Sequence, residues 1–213
     1  MASCSSVESR YSIVEIILLF LACGANLATL AFISMSRHDN DGSCLLFAEI
    51  QVISRNAAAH HSSKCRFPIS VHIASFLYAA FHVIYWLYKL IRGQEGSKFL
   101  QVVSIFAYGI LSLLLFVVSI LITMGLKSLC NEIYEKSPRK RDNCRDYQNK
   151  RLGDIFKNPG YAKFYDILHN AEIASWIAFS IWFIVAALTM SRCYSRKPGY
   201  IRTRLEPDKP EVI

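Results

Sequence analysis

Four stretches of this chain contain no Asp, Glu, Lys or Arg: Ile16–Ser36, Phe67–Tyr88, Phe99–Leu126 and Ile173–Ser191. They are 21, 22, 28 and 19 residues long and hold 90 of the 213 residues. An α-helix rises about 1.5 Å per residue, so about 20 apolar residues cross the roughly 30 Å hydrocarbon layer of a bilayer. One such run fits a buried core helix. Four in so short a chain leave too little polar sequence to cover them. The expected fold is therefore an all-α membrane protein, a four-transmembrane-helix bundle forming one domain over residues 1–191. Its spans are expected at about residues 12–36, 67–91, 99–126 and 169–191, with long loops at 37–66 and 127–168. The first run exceeds the 7–15 residues of a signal-peptide core, Glu15 precedes it, and no A-x-A site stands near its end, so it reads as a retained span.

Residues 1–11 read as a short polar tail. In span 1, Gly24 and Ala28, and Ala25 and Thr29, are small residues four apart, a spacing that permits close helix approach in lipid. In the first loop, Cys44 to Ile53 reads as a short half-buried strand and Ala57–Ser63 as a turn region. Pro68 suits the first turn of span 2, where its missing N–H costs little. The connection Arg92–Lys98 is short enough only to join adjacent antiparallel helices. Asn158-Pro159-Gly160 marks a helix start, expected near Tyr161 and continuing into span 4. Residues 192–213 are expected to be a disordered, basic cytoplasmic tail.

This order puts both termini and the short loop on one side and both long loops on the other. Two rules then disagree about which side is which. Cys44 and Cys65 lie in the first long loop and Cys130 and Cys144 in the second, and cysteine pairs persist in oxidising compartments. A raw count of Lys and Arg gives ten on the terminal side and fourteen in the long loops, which favours the opposite orientation. Near span 4, however, Arg192, Arg196 and Lys197 all flank the tail side. The cysteines carry more weight, and both termini are expected to be cytoplasmic. The net charge of +8 is read as facing lipid headgroups, since no nucleic-acid motif accompanies it.

Four loop cysteines allow three pairings. The within-loop bridges Cys44–Cys65 and Cys130–Cys144 are preferred over cross-loop bridges that staple the loops together. His60 and His61 with Cys65 do not make the closed four-ligand set of a structural zinc site, so no metal is expected. Cys193, at the tail-side membrane edge, is a candidate palmitoylation site or an unmodified thiol.

Ionisable and polar groups inside spans are the remaining candidates. Asn26 lies in span 1. His72 and His82 lie in span 2, ten residues and so about 80° apart around the helix. His169, Asn170 and Glu172 cluster at the loop end of span 4, where His169 and Glu172 have pairing distance in sequence. Two readings stand beside each other: an ion or proton path with His82 titrating, and neutral histidines hydrogen-bonded between helices to hold the bundle. No nucleophile-elbow, zincin, P-loop or dinucleotide motif is present, so neither an enzyme nor a cofactor is expected.

Several pieces of the chain resemble the transmembrane protein 179/179B family. They are Gly42-Ser43-Cys44-Leu45-Leu46-Phe47, Cys65-Arg66-Phe67, Gly93-Gln94-Glu95-Gly96-Ser97, Ser128-Leu129-Cys130-Asn131 and, most strongly, Phe164 to Glu172 with Ser175-Trp176. The resemblance implies a four-span, distantly claudin-like protein: a left-handed helix bundle with a small extracellular β-sheet from loop 1. The chain lacks the Trp-Gly-Leu-Trp stretch of true claudins, and its loop 1 is short. The expected function is a binding, adaptor or auxiliary-subunit role for a membrane-protein partner, through disulfide-tied extracellular loops, in the plasma membrane or a vesicle membrane. The alternative is a small channel or transporter with a polar path near His82. The terminal Glu211-Val212-Ile213 is a weak PDZ-ligand pattern.

Overall fold

A computed structural model describes residues 2–38, 50–53, 56–59, 65–92, 98–136, 144–147 and 163–195, with side chains in 13–36, 65–89, 91–92, 102–135, 144–146 and 163–192. Four helices dominate: α1 (Ala2–His38), α2 (Arg66–Arg92), α3 (Lys98–Lys136) and α4 (Phe164–Ser195). Each contains a stretch long and apolar enough to cross a membrane: Ile13–Ser36, Arg66–Lys89, Val102–Glu135 and Phe164–Arg192. They form a ring in which α1 packs on α2 and α4, and α3 on α4 and, more thinly, on α2.

Buried positions on every helix recur at alternating steps of four and three residues. On α1 they are Glu15, Leu19, Ala22, Asn26, Thr29, Ile33 and Ser36; on α3 they run Tyr108, Ser112, Leu115, Ser119, Ile122, Leu126, Leu129 and Ile133. Pro68, His72, Ser75, Ala79 and His82 make the same seam on α2, and Phe164, Leu168, Ala171, Ser175, Ala178, Trp182, Val185 and Thr189 on α4. A sustained 3.5-residue period keeps each seam on the bundle axis only if the helices supercoil left-handedly. The seams mix small and large residues, so Trp182, fully buried, packs against Tyr108 and Tyr78 with ring centroids 5.6 and 6.0 Å away. The outer faces are apolar: Phe20, Phe81, Ile84, Phe106, Leu113 and Phe183 are each at least 60% exposed. In a membrane these side chains meet lipid tails.

The structure moves several expected boundaries. α1 begins at Ala2, so the expected polar tail is helical. α3 continues to Lys136, past the expected end at Leu126, because Leu129 and Ile133 extend its seam and are buried in the same apolar cluster as Phe164 and Leu168 of α4. α4 begins at Phe164 rather than near Tyr161. Between α1 and α2, β1 (Ile50–Ile53) pairs antiparallel with β2 (Asn56–Ala59), Ile50 facing Ala59 and Ile53 facing Asn56. β1 covers the last four residues of the expected strand, and β2 occupies the start of what reads in sequence as a turn region. The connection 93–97 and the tail from 196 onward, with its PDZ-like end, lie outside the described residues.

Candidate functional site

Each of the four helices contributes one polar seam residue to a buried layer in the loop-side half of the bundle: Asn26, His72, Ser119 and Ser175. The His72 Nδ1 lies 2.8 Å from Asn26 Oδ1, and Asn26 Nδ2 donates to the Ala22 carbonyl at 2.8 Å. The amide orientation fixes the tautomer. With Asn26 offering its oxygen to the ring, His72 Nδ1 carries the proton and Nε2 accepts. The Ser175 hydroxyl sits 3.3 Å from Nε2, and Ser119 Oγ lies 2.8 Å from Ser175 Oγ. A directed chain results, from Ser119 to Ser175 to His72 to Asn26 to Ala22. Asn26, His72, Ser119 and Ser175 are buried at 0% exposure, so each link replaces water that is absent.

A second layer lies at the tail-side membrane boundary, again with one residue per helix. Arg192 on α4 donates to Glu15 on α1 at 2.6 Å, and Tyr108 on α3 donates to the other Glu15 oxygen at 3.1 Å. Tyr108 has a single proton, already committed to Glu15. His82 on α2, with Nδ1 3.0 Å from the Tyr108 oxygen, is therefore the donor to it. The Glu15 side chain is 4% exposed and that of Arg192 20%, so this is a buried ion pair joining the first span to the last. Tyr108→Phe should lower stability by about 1 kcal/mol, by leaving one Glu15 oxygen and the His82 N–H without their partner. Thermal unfolding in detergent checks this.

Between the two layers the four seams place Leu19, Ala22, Ala79, Leu115, Ala178, Trp182 and Val185, together with the buried hydroxyls of Ser75, Ser112 and Thr189. Only the alternative transport reading strings Asn26, His72 and His82 along one polar path. The structure instead gives Asn26 to His72 and puts His82 in the other layer.

A third cluster crowns the loop side. Thr123 donates to Glu172 at 2.7 Å, Trp176 Nε1 donates to Thr123 at 3.2 Å, and His169 Nδ1 lies 3.3 Å from the second Glu172 oxygen. The expected His169–Glu172 pairing is present, while Asn170 is exposed beside it. Beyond Leu126 on α3, Cys130 is bonded to Cys144 in a short 3₁₀ turn, Cys144–Tyr147. From that turn Arg145 reaches Asp166 on α4 at 3.3 Å. Cross-loop bridges are thereby excluded for these two cysteines. Cys65 is also disulfide-bonded, and Cys44, its expected partner, lies outside the described residues, as do the side chain of Cys193 and residues His60 and His61. Cys23 is a free, half-buried thiol in α1. Among the described residues, no three His, Cys, Asp or Glu side chains are grouped to hold a metal ion. Cys130→Ser should open the segment between α3 and α4 to proteases while the spans stay protected, a difference that limited proteolysis in detergent resolves.

Sequence reasoning missed Tyr108, Ser119, Ser175, Thr123 and Trp176, and it treated Glu15 and Arg192 as span flanks. The seam period is the signal that finds most of them. Glu15, Tyr108, Ser119 and Ser175 all sit on the four-three repeat.

A family model described as the Transmembrane protein 179/179B Claudin domain matches residues 11–209. A zebrafish (Danio rerio) protein named Transmembrane protein 179B is 27% identical over 176 residues, covering 79% of this chain and 76% of its own. The human (Homo sapiens) Transmembrane protein 179B is 27% identical over 198 residues, covering 89% and 84%. No solved structure matches.

Proposed function

The chain belongs to the transmembrane protein 179/179B claudin-domain family, and from that premise we propose that it acts as a binding or auxiliary subunit for a membrane-protein partner. The partner is met through the loop-bearing face. One observation carries this reading. α3 runs about 15 Å beyond Leu126, and this projection is locked to α4 through Cys130–Cys144 and Arg145–Asp166. A disulfide-held helix pair standing clear of the bilayer is a rigid platform, and rigid platforms lose little entropy when they bind. The disulfides support a lumenal or extracellular placement for this face and a cytoplasmic one for both termini, in the plasma membrane or a vesicle membrane. The small hairpin β1–β2 belongs to the same face in this reading. The two polar layers then hold the four helices in register beneath it, as a buried polar residue does in a coiled coil. The pairing of His72 with Asn26 in one layer and of His82 with Tyr108 in the other favours this scaffold role over a polar path past His82.

Photo-crosslinking in native membranes tests the proposal. Asn131 and Tyr134 are exposed on the projecting part of α3, and Leu113 is 68% exposed on the lipid-facing part. Photoreactive residues at Asn131 and Tyr134 should give one reproducible protein adduct, and one at Leu113 lipid adducts. Lipid adducts alone at all three positions would overturn it.

A further inference from the structure

Ser119 has one proton and two acceptors. Its Oγ lies 2.9 Å from the Leu115 carbonyl and 2.8 Å from Ser175 Oγ at the same time. With His72 neutral, Ser119 donates to Ser175 and Ser175 to Nε2. With a proton added at Nε2, the ring becomes the donor to Ser175. Ser175 then turns its hydroxyl to Ser119, and Ser119 turns its own to Leu115. Every donor keeps an acceptor in both states, and only two hydroxyl hydrogens rotate. The Nδ1–H to Asn26 bond is unchanged.

We propose that His72 is a reversible proton-binding site, its layer keeping every donor paired whether the ring is neutral or charged. The groups around it are few. α1 presents Asn26 and α3 presents Ser119, neither of which ionises. On its own helix the next histidine, His82, belongs to the layer with Glu15, Tyr108 and Arg192. α4 presents Ser175, and Glu172 stands three residues before it, about 4.5 Å along the axis. Glu172 is the carboxylate on the loop side of this layer, and a buried imidazolium needs such a countercharge. Glu172 in turn contacts His169, whose side chain is 45% exposed.

The experiment is ¹⁵N NMR of histidine-labelled full-length protein in lipid nanodiscs, with the His72 signal assigned by its loss in His72→Gln. At pH 8 the ring should be the neutral Nδ1–H tautomer, and acidification to pH 4 should convert it to imidazolium. Ser119→Ala removes the acceptor that Ser175 needs in the protonated state, so the half-conversion pH should fall by about one unit. Glu172→Gln should lower it as well. An Nε2–H tautomer, a ring that stays neutral to pH 4, or a midpoint untouched by both substitutions would overturn the proposal. Once the His72 signal is assigned, the tautomer and the wild-type titration need neither Ser119→Ala nor Glu172→Gln, so misfolding of either leaves two decisive readouts.

Discussion

Glu15→Ala and Arg192→Ala should each destabilise the bundle by about 3–5 kcal/mol, the range for removing one partner of a buried ion pair. The magnitude follows from burial rather than from the 2.6 Å contact alone, since the Glu15 carboxylate is 4% exposed and the Arg192 side chain 20%. Removing either takes the opposite charge away from a group that is mostly buried. An exposed pair of the same geometry would contribute under about 1 kcal/mol. The double variant Glu15→Met with Arg192→Leu removes both charges at similar volume and should recover most of the loss. Reversible unfolding in bicelles measures all four proteins. A single-variant loss near 0.5 kcal/mol would show that water or headgroups solvate the pair.

His72→Ala should cost about 2–4 kcal/mol, measured the same way. Individual hydrogen bonds between membrane helices average only about 0.6 kcal/mol, because the separated helices find other partners. The larger share comes from two other sources. A fully buried ring is lost from the centre of four seams, and Asn26 Oδ1 and the Ser175 hydroxyl lose their acceptor or donor together. His72→Gln, which keeps both a donor and an acceptor, should cost less than half as much. Ser180→Ala removes an exposed hydroxyl that bonds the Trp176 carbonyl, and should change stability by under about 0.5 kcal/mol.

The four spans were legible because hydrophobic length is a property of contiguous residues. Helix ends outside the membrane were less so. The charge at Lys127 looks like a span ending, yet Leu126, Leu129 and Ile133 continue the seam and carry α3 to Lys136. Counting uncharged residues finds the membrane, while counting the seam finds the helix. The same contrast explains the polar site. Asn26, His72 and His82 stood out as polar residues in apolar runs, but which meets which depends on antiparallel register. Applying the four-three repeat to all four runs places Asn26, His72, Ser119 and Ser175 on seams, though only the packed structure aligns them in one layer. Ser119 and Ser175 are also common residues in spans, so nothing in their identity marks them. The Glu15–Arg192 pair, 177 residues apart, comes from the closing of the ring between its first and last helices. The expected Cys130–Cys144 bridge was the more local problem, because its closing segment is short enough to favour self-pairing.

In the proposed function the loop-side platform is the working surface and the bundle interior its support. The most direct measurement compares the photo-crosslinked adduct at Tyr134 in wild type, Cys130→Ser and His82→Gln, with ion and proton flux recorded from vesicles holding each protein. The adduct should disappear in Cys130→Ser and persist in His82→Gln, with no flux above empty vesicles from any of the three. A flux abolished by His82→Gln, with an adduct indifferent to the disulfide, would contradict the account.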